Sequence, residues 1–98
     1  MGGQYQPVGQ CHVLQNFFDF NMNIQESIDF PRAFILEGNY KFEKSIPEKI
    51  LNELAHIGHN VNYSSETHGG GQAIYIDRNE GILIGGSDPR KDGCALGY

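Results

Sequence analysis

Apolar residues in the first quarter of the chain recur every three or four positions, which is the period of one face of an α-helix. They are Val8, Cys11, Leu14, Phe18 and Met22, with Val13 and Phe17 widening the face. The pattern predicts an amphipathic helix over roughly residues 4–22, with Cys11 as a small residue of its buried face. Pro7 is expected in the first turn, where the backbone has no intrahelical hydrogen bond to lose.

A second, short helix is predicted directly after the first. Asn23 followed three positions later by Glu26 is a capping-box-like pattern with Asn as the N-cap. The helix should end at or before Phe30, because Pro31 disfavours a helical conformation in the residue that precedes it.

A third helix is predicted from Ser45 and Glu48, which repeat the capping-box spacing, through about His56. Gly58 is the expected residue just past its end, where glycine relieves the last turn. The predicted buried stripe consists of Ile46, Ile50, Leu54 and Ile57, with Leu51 beside it.

The remaining periodic segments alternate with a period of two, which favours β-strands. Residues 32–37 and 40–43 flank Gly38-Asn39 and are expected to form a hairpin. Further strands are predicted at 61–63, 72–77 and 81–85. The order is therefore ααββαβββ, an α+β chain with a small antiparallel sheet covered by helices on at least one side. The stretch 86–98 has no periodicity and is expected to be a loop-like tail.

Length and net charge exclude several classes of protein. At 98 residues the chain forms at most one small domain, taken here as a single partial domain over 1–98. A net charge of −5, with no basic cluster longer than Arg90-Lys91, argues against a nucleic-acid-binding surface. No apolar run has membrane-spanning length, and the first residues do not have a signal-peptide pattern. Cys11 and Cys94 are expected to be free thiols.

The reactive side chains do not form a recognisable metal or nucleophile motif. His12, His56, His59 and His68 lack the spacing of metal ligands, so no metal site is expected. Cys11 and His12 are adjacent in a predicted helix and point about 100° apart, which is unsuitable for a catalytic pair. The cluster formed by Ser64, Ser65, Thr67 and His68 has no nucleophile-elbow sequence around it. The glycines at 69–71 lack the lysine of a phosphate-binding loop.

Two short segments keep a functional and a structural interpretation open. Asp88-Pro89-Arg90 starts a turn, and Arg90 is able to clamp a carboxylate on a neighbouring segment. A structural role in pinning the tail is favoured over a role in binding substrate. Gly2 and Gly3 stand at a predicted helix start, where backbone N–H groups are free to bind an anion or an oxyanion. They either form a flexible start of the chain or supply half of an acyl-transfer site whose nucleophile lies elsewhere.

Both ends of the chain resemble the late part of the small subunit of the γ-glutamyltranspeptidase family. The similar segments are residues 1–9, 18–23, 27–32, 70–74, 85–90 and 97–98. The family consists of N-terminal-nucleophile (Ntn) hydrolases with an αββα sandwich, of which this chain is expected to be a fragment. A threonine freed by self-cleavage attacks γ-glutamyl amides such as glutathione, and its own α-amine is the base.

The resemblance implies a role for two glycines and shows which catalytic segments of the family have no counterpart in this chain. It places the paired oxyanion-hole glycines of the family on Gly2 and Gly3. The segment that supplies the threonine nucleophile has no counterpart here, nor have the residues that bind the glutamyl α-groups, and Met1 cannot replace the threonine. The best-studied members carry Ser-Arg where Gln4-Tyr5 stand. The isolated chain is therefore expected to have no transferase or hydrolase activity.

Expected partners follow from the same resemblance. They are the remainder of the small subunit, the large subunit and a γ-glutamyl substrate, with no cofactor, nucleic acid or membrane. Two alternatives stay open: an independent binding or assembly module, and a segment of a related Ntn acylase such as one acting on cephalosporin side chains. Exposed strand edges would favour self-association of the fragment.

Overall fold

The computed structural model describes residues 2–98, so Met1 lies outside the described residues. Eight helices and strands follow one another in the predicted order ααββαβββ. They are α1 (Gln6–Phe18), α2 (Ile24–Asp29), β1 (Ala33–Leu36), β2 (Asn39–Phe42), α3 (Glu48–Ile57), β3 (Val61–Tyr63), β4 (Gln72–Asp77) and β5 (Ile82–Ser87). Short 3₁₀ turns occupy Gly3–Tyr5 and Pro89–Lys91.

The described residues divide into two compact units. One unit contains the residues up to Phe30 together with Gly69–Tyr98, and the other contains Pro31–His68. The first unit therefore holds α1, α2 and the β4–β5 hairpin, and the second holds α3 with a three-stranded sheet. Among residues 2–98, no helix is both long enough and apolar enough to cross a membrane.

Helix α1 is present, but it is shorter than predicted. It ends at Phe18 rather than near Met22, and Asn21 has a left-handed backbone with φ 55°. The amides of Phe20 and Met22 donate to the carbonyls of Gln15 and Asn16, which closes the chain into a turn after the last helical residue. Pro7 lies in the first turn as expected.

The predicted buried face of α1 is wrong. Val8, Cys11, Leu14 and Phe18 are exposed, so Cys11 is not a core residue. The residue of α1 that is buried is Asn16, which is 3% exposed and donates from Nδ2 to the carbonyl of Ser27 at 3.4 Å. Asn16 thus contacts α2, while Phe17, from the widened face, is half-buried and its ring lies 5.0 Å from the ring of Tyr75.

Helix α2 begins with the predicted capping box. The Asn23 side chain accepts from the Glu26 amide at 2.8 Å, and the Glu26 carboxylate accepts from the Asn23 amide at 3.0 Å. The helix ends at Asp29, before Phe30, as predicted. Its residue Ile28 is 1% exposed and would lie 3.0 Å from a Cβ at Gly86, so glycine in β5 permits this close packing.

Strands β4 and β5 form the predicted antiparallel hairpin, in a register that runs from Gln72↔Ser87 to Asp77↔Ile82. The Asp77 carboxylate accepts from the amides of Asn79 and Glu80 at 3.0 and 3.1 Å, which closes the connecting turn. Strand β5 ends at Ser87, two residues beyond its predicted end at 85. The predicted loop-like tail contains a 3₁₀ turn, Pro89–Lys91.

In the second unit, β1 and β2 form the predicted hairpin with a turn displaced by one residue. Leu36 pairs with Asn39, so the two turn residues are Glu37 and Gly38 rather than Gly38-Asn39. Both have positive φ, 50° and 78°, as a type I′ turn requires. Asn39 instead belongs to β2, and its side-chain oxygen accepts from Asn60 at 2.6 Å.

The prediction of one small antiparallel sheet is wrong in two respects. There are two sheets among the described residues, β1-β2-β3 and β4-β5. Strand β3 also pairs with β2 in parallel, with Tyr40 opposite Val61. The parallel pair is possible because α3 forms the crossover between the two strands.

Helix α3 lacks the capping box predicted from Ser45. Its N-cap is Pro47, and no side chain caps the helix. The predicted buried stripe is confirmed in part: Leu51 is buried and Ile46 and Leu54 are half-buried, whereas Ile50 and Ile57 are exposed. The predicted end is confirmed, because Gly58 has the left-handed conformation with φ 115°.

A buried charge cluster fixes the second unit. Glu43, 6% exposed, accepts from the amide of Arg32 at 3.0 Å and from the amide of His68 at 3.2 Å. Arg32, 2% exposed, donates from Nη1 to the carbonyl of His68 at 2.8 Å. The start of β1 and the loop after β3 are thereby tied together.

Candidate functional site

Gly2 and Gly3 adopt a backbone that side chains disfavour. Their φ angles are 91° and 46°, and Gly2 is the N-cap of the 3₁₀ turn Gly3–Tyr5. The carbonyl of Gly2 accepts from the amide of Tyr5 at 2.8 Å. A Cβ at Gly2 would lie 3.1 Å from Cγ of Gln6, whereas a Cβ at Gly3 would meet nothing within 4 Å. Two successive positive φ values, rather than crowding alone, explain glycine at both positions.

The turn that begins at Gly3 continues directly into α1, so the glycines lie at the start of a helical stretch that runs to Phe18. The first N–H groups of a helix have no intrahelical acceptor, and the helix dipole is positive at that end. Such a start binds negative charge, including the oxyanion that develops when a carbonyl is attacked. Gly2 and Gly3 place no side chain at this helix start.

The turn is fixed by an aromatic side chain. Tyr5 is 7% exposed, and a Cβ at Gly9 would lie 2.7 Å from its ring atom Cε1. The Tyr5 ring therefore packs against Gly9, one helical turn further along the chain, and occupies the space that a side chain at position 9 would need.

The candidate nucleophiles and histidines named from the sequence do not form a catalytic pair. Cys11 is exposed, whereas His12 bonds Asn16 through Nε2 at 3.3 Å and packs against Phe30 with ring centroids 5.9 Å apart. Ser64 accepts from the amide of Glu66 at 3.2 Å, which is a local turn contact.

Within residues 2–98, no three His, Cys, Asp or Glu side chains are grouped so that they could hold a metal ion. His68 bonds the Lys41 carbonyl through Nε2 at 3.1 Å, and His59 lies 6.2 Å from the Tyr40 ring. These histidines make structural contacts.

Asp88 lies at the centre of a buried network in the first unit. It has 0% exposure, and its carboxylate accepts from the amide of Gly71 at 2.8 Å and from the amide of Arg90 at 2.9 Å. The Arg90 guanidinium lies 3.2 Å from the same carboxylate. An ion pair buried to this degree is stable only when further hydrogen bonds satisfy its atoms, as they do here.

Arg90 also completes the end of α2. Its guanidinium donates to the carbonyls of Ile28, Asp29 and Phe30 at 3.0, 3.3 and 3.1 Å. Carbonyl groups at the end of a helix lack N–H donors within the helix, and a cation is favourable at that end. The structural interpretation of Asp88-Pro89-Arg90 is therefore confirmed: Arg90 pins the tail to α2, and its carboxylate partner lies two residues away rather than on a neighbouring segment.

One contact was missed at the sequence level. The Gln25 side chain donates from Nε2 to the carbonyl of Ser87 at 2.9 Å, and its Oε1 accepts from the amide of Ser87 at 3.0 Å. A glutamine in a short polar helix gives no signal of such a partner 62 positions away.

Comparison with known proteins identifies the family of this chain. The family model described as gamma-glutamyltranspeptidase matches residues 1–98. The chain belongs to the γ-glutamyltranspeptidase family. Among curated relatives, it is 33% identical over 106 aligned positions to a glutathione hydrolase-like YwrD proenzyme of Bacillus subtilis, covering 98% of this chain and 20% of the relative. It is 35% identical over 84 positions to the acylase ACY 1 proenzyme of a Pseudomonas strain, covering 86% and 15%.

The fold of the family is also evident in the structure. A cephalosporin acylase from Bacillus halodurans matches with a TM-score of 0.85 and 32% identity, over 94% of this chain and 18% of that one. The mixed α+β arrangement with small sheets is that of the Ntn hydrolases, as predicted. The chain spans between 14% and 20% of the length of the curated relatives it matches.

Proposed function

We propose that this chain is the C-terminal part of the small subunit of a γ-glutamyltranspeptidase-like enzyme that transfers or hydrolyses γ-glutamyl groups. In this proposal Gly2 and Gly3 supply the oxyanion hole. The observation that carries it is the pair of successive positive φ angles, 91° and 46°, at the start of the helical stretch. Membership of the family supports the reaction class, acyl transfer.

The proposed role of the glycines is electrostatic. Attack on a γ-glutamyl carbonyl moves negative charge to its oxygen, and fixed N–H donors at a helix start stabilise that charge without reorganising. Tyr5, packed over Gly9, keeps the turn in place before the substrate arrives. Removing one donor of an oxyanion hole lowers kcat by about 10²–10³-fold.

The nucleophile in this proposal belongs to the part of the enzyme that does not correspond to these 98 residues. The chain has one threonine, Thr67, which lies in the loop between β3 and β4, away from any helix or strand start. The glutamyl-binding groups are assigned to the same outside part. The chain by itself is accordingly proposed to be inactive.

The proposed partners are the remainder of the small subunit and the large subunit. The relatives are named as proenzymes, and this chain matches only 20% of the length of one and 15% of the length of another. The surface of the chain fits such partners, because many large apolar side chains are exposed on α1, α3, β4 and β5.

A chimera tests the proposal. This chain replaces the matching segment of the Bacillus subtilis glutathione hydrolase-like proenzyme, and turnover of a γ-glutamyl anilide is measured together with self-cleavage into two subunits. We expect turnover by the chimera and none by the chain alone. A chimera that cleaves itself and stays folded yet has no turnover refutes the proposed function, and turnover by the pure chain refutes the assignment of the nucleophile.

A second candidate is an Ntn acylase. It is favoured by 35% identity to acylase ACY 1 and by the 0.85 TM-score with the cephalosporin acylase. The oxyanion role of Gly2 and Gly3 is the same in both candidates, since both reactions pass through a tetrahedral oxyanion. A matching chimera with the acylase ACY 1 proenzyme, assayed on cephalosporin side chains and on a γ-glutamyl anilide, distinguishes them.

A further inference from the structure

The β4–β5 hairpin exposes apolar side chains on both of its strands. Ile74 is 71% exposed, Ile76 54% and Leu83 70%. A two-stranded ribbon also has two outer edges, each with main-chain N–H and C=O groups that require partners. The two edges of this ribbon are not equivalent.

The hydrogen-bonding phase of the ribbon follows from two contacts. Both main-chain groups of Ser87 bond Gln25, so they point away from β4. The next residue, Asp88, donates from its amide to the carbonyl of Gly71 at 3.0 Å, so it points toward the β4 side. Antiparallel pairs alternate between these two orientations.

This alternation assigns the outward-facing groups of each strand. On β5 they belong to Leu83, Gly85 and Ser87, and on β4 they belong to Gln72, Ile74 and Ile76. The Gln25 amide imitates a strand partner at Ser87 and closes that end of the β5 edge. No described residue forms a comparable contact with the outward main-chain groups of β4.

The β4 edge also lacks the usual protection against strand addition. Residues 72–76 contain no charge and no proline, and the register with β5 contains no bulge. Native edges are normally blocked by such features. The edge is therefore able to accept another strand.

The edge is complementary to itself. When two copies of β4 run antiparallel with Ile74 opposite Ile74, Gln72 faces Ile76 of the other copy, and the two outward-facing sets of groups meet. Asp77 then lies opposite Gly71, so no like charges face one another.

We propose that this chain, when it is alone, forms a dimer through antiparallel pairing of β4 with β4 of a second copy, giving a four-stranded sheet β5-β4-β4-β5. The inference concerns the chain without the remainder of the enzyme, because the proposed function assigns the exposed apolar side chains of β4 to contacts with that remainder. It concerns an edge that lies in the first unit, separate from Gly2 and Gly3 in the sequence.

A charge-exchange experiment tests the pairing at Ile74. Sedimentation equilibrium is measured for the wild-type chain, Ile74→Lys, Ile74→Glu and an equimolar mixture of the two variants, at up to about 0.5 mM. Ile74 is 71% exposed, so neither variant disturbs the core. We expect a wild-type dimer, two monomeric variants because like charges meet across the twofold axis, and a dimer in the mixture.

Leu83→Lys is the matched control, because Leu83 is exposed to the same extent but lies on the edge of β5. It should remain dimeric. A monomeric wild-type chain, a mixture that stays monomeric, or a Leu83→Lys variant that dissociates as fully as Ile74→Lys would each overturn the proposal.

The Gln25 contact provides an independent readout. Gln25→Ala exposes the main chain of Ser87 and opens the β5 edge, so we expect assemblies larger than a dimer at the same concentration. A Gln25→Ala chain that keeps the wild-type dimer distribution would contradict the role of Gln25 as the feature that restricts pairing to β4.

Discussion

The ring of Tyr5 lies where a side chain at Gly9 would be. A Cβ built at Gly9 would approach Cε1 of Tyr5 to 2.7 Å and Cδ1 to 3.1 Å. Tyr5 follows the Gly2-Gly3 pair and is joined to it by the 2.8 Å bond from its amide to the Gly2 carbonyl. The Tyr5 ring thus fills the space that glycine leaves open at position 9, and this packing holds the backbone at the start of the helix.

Gly9→Ala should destabilise the chain although alanine is the better helix former. The gain in helix propensity is about 1 kcal/mol, whereas inserting a methyl group into a packed contact costs about 1–3 kcal/mol. Urea unfolding measures the difference. In a Tyr5→Ala background the same Gly9→Ala change should become stabilising, and a loss that persists there would show that the ring is not the cause.

The two capping-box sequences should respond differently to alanine. Asn23→Ala should lower the free energy of unfolding by about 1 kcal/mol, because the side chain caps α2. Ser45→Ala should change it by less than about 0.5 kcal/mol, because no side chain caps α3. Equal losses in urea unfolding would contradict the caps seen in the structure.

The order of the elements was predictable because the local signals are strong. Asn23 with Glu26, the glycine at 58 and the alternating residues of β4 and β5 each act within a few positions. The turn at Glu37-Gly38 was displaced by one residue, because glutamate in a left-handed conformation is rare and gives no sequence signal.

Periodicity did not predict which face of α1 is buried. The stripe of Val8, Leu14 and Phe18 has the right spacing for a core face, yet it is exposed and Asn16 is buried. Periodicity indicates which residues share a face, but it does not identify the partner of that face. The parallel pairing of β2 with β3 likewise depends on where α3 returns the chain.

The candidate site was predictable in part. The sequence predicts that Gly2 and Gly3 stand at a helix start, and they do precede a helical stretch that runs to Phe18. Their role in an oxyanion hole stays a prediction. The contacts of Gln25 with Ser87 and of Tyr5 with Gly9 had no sequence signal, because a side-chain contact depends on the fold around it. The role of Asp88 as a turn initiator was visible, whereas its complete burial was not.

Replacing Asp88 should be among the most destabilising changes in the chain. Asp88→Ala leaves the buried Arg90 guanidinium and the Gly71 amide without this carboxylate, and breaking a buried pair costs about 3–5 kcal/mol. Urea unfolding should show a smaller additional loss for Arg90→Ala in the Asp88→Ala background than in the wild-type chain. Strictly additive losses would contradict a shared network.

Gly93→Ala should destabilise the tail. A Cβ there would overlap Oγ of Ser87 and lie 2.7 Å from Nε2 of Gln72 and 2.9 Å from the carbonyl of Asp88. Overpacking of this kind costs about 1–3 kcal/mol. Gly97→Ala is the control, because a Cβ at Gly97 would meet nothing within 4 Å. Thermal unfolding of both variants checks the difference, and equal melting temperatures would refute it.

The most direct test of the oxyanion role is the kcat of the glutathione hydrolase-like chimera that carries Gly3→Ala, compared with Gly97→Ala. A Cβ fits sterically at both positions, so the variants differ in the positive φ of Gly3. Gly3→Ala keeps the N–H group but strains the left-handed backbone that orients it, at a cost of about 1–2 kcal/mol. We therefore predict a kcat about tenfold lower, while self-cleavage and the folded state persist. A kcat within about threefold of the Gly97→Ala value would contradict the assignment of Gly2 and Gly3 to the oxyanion hole.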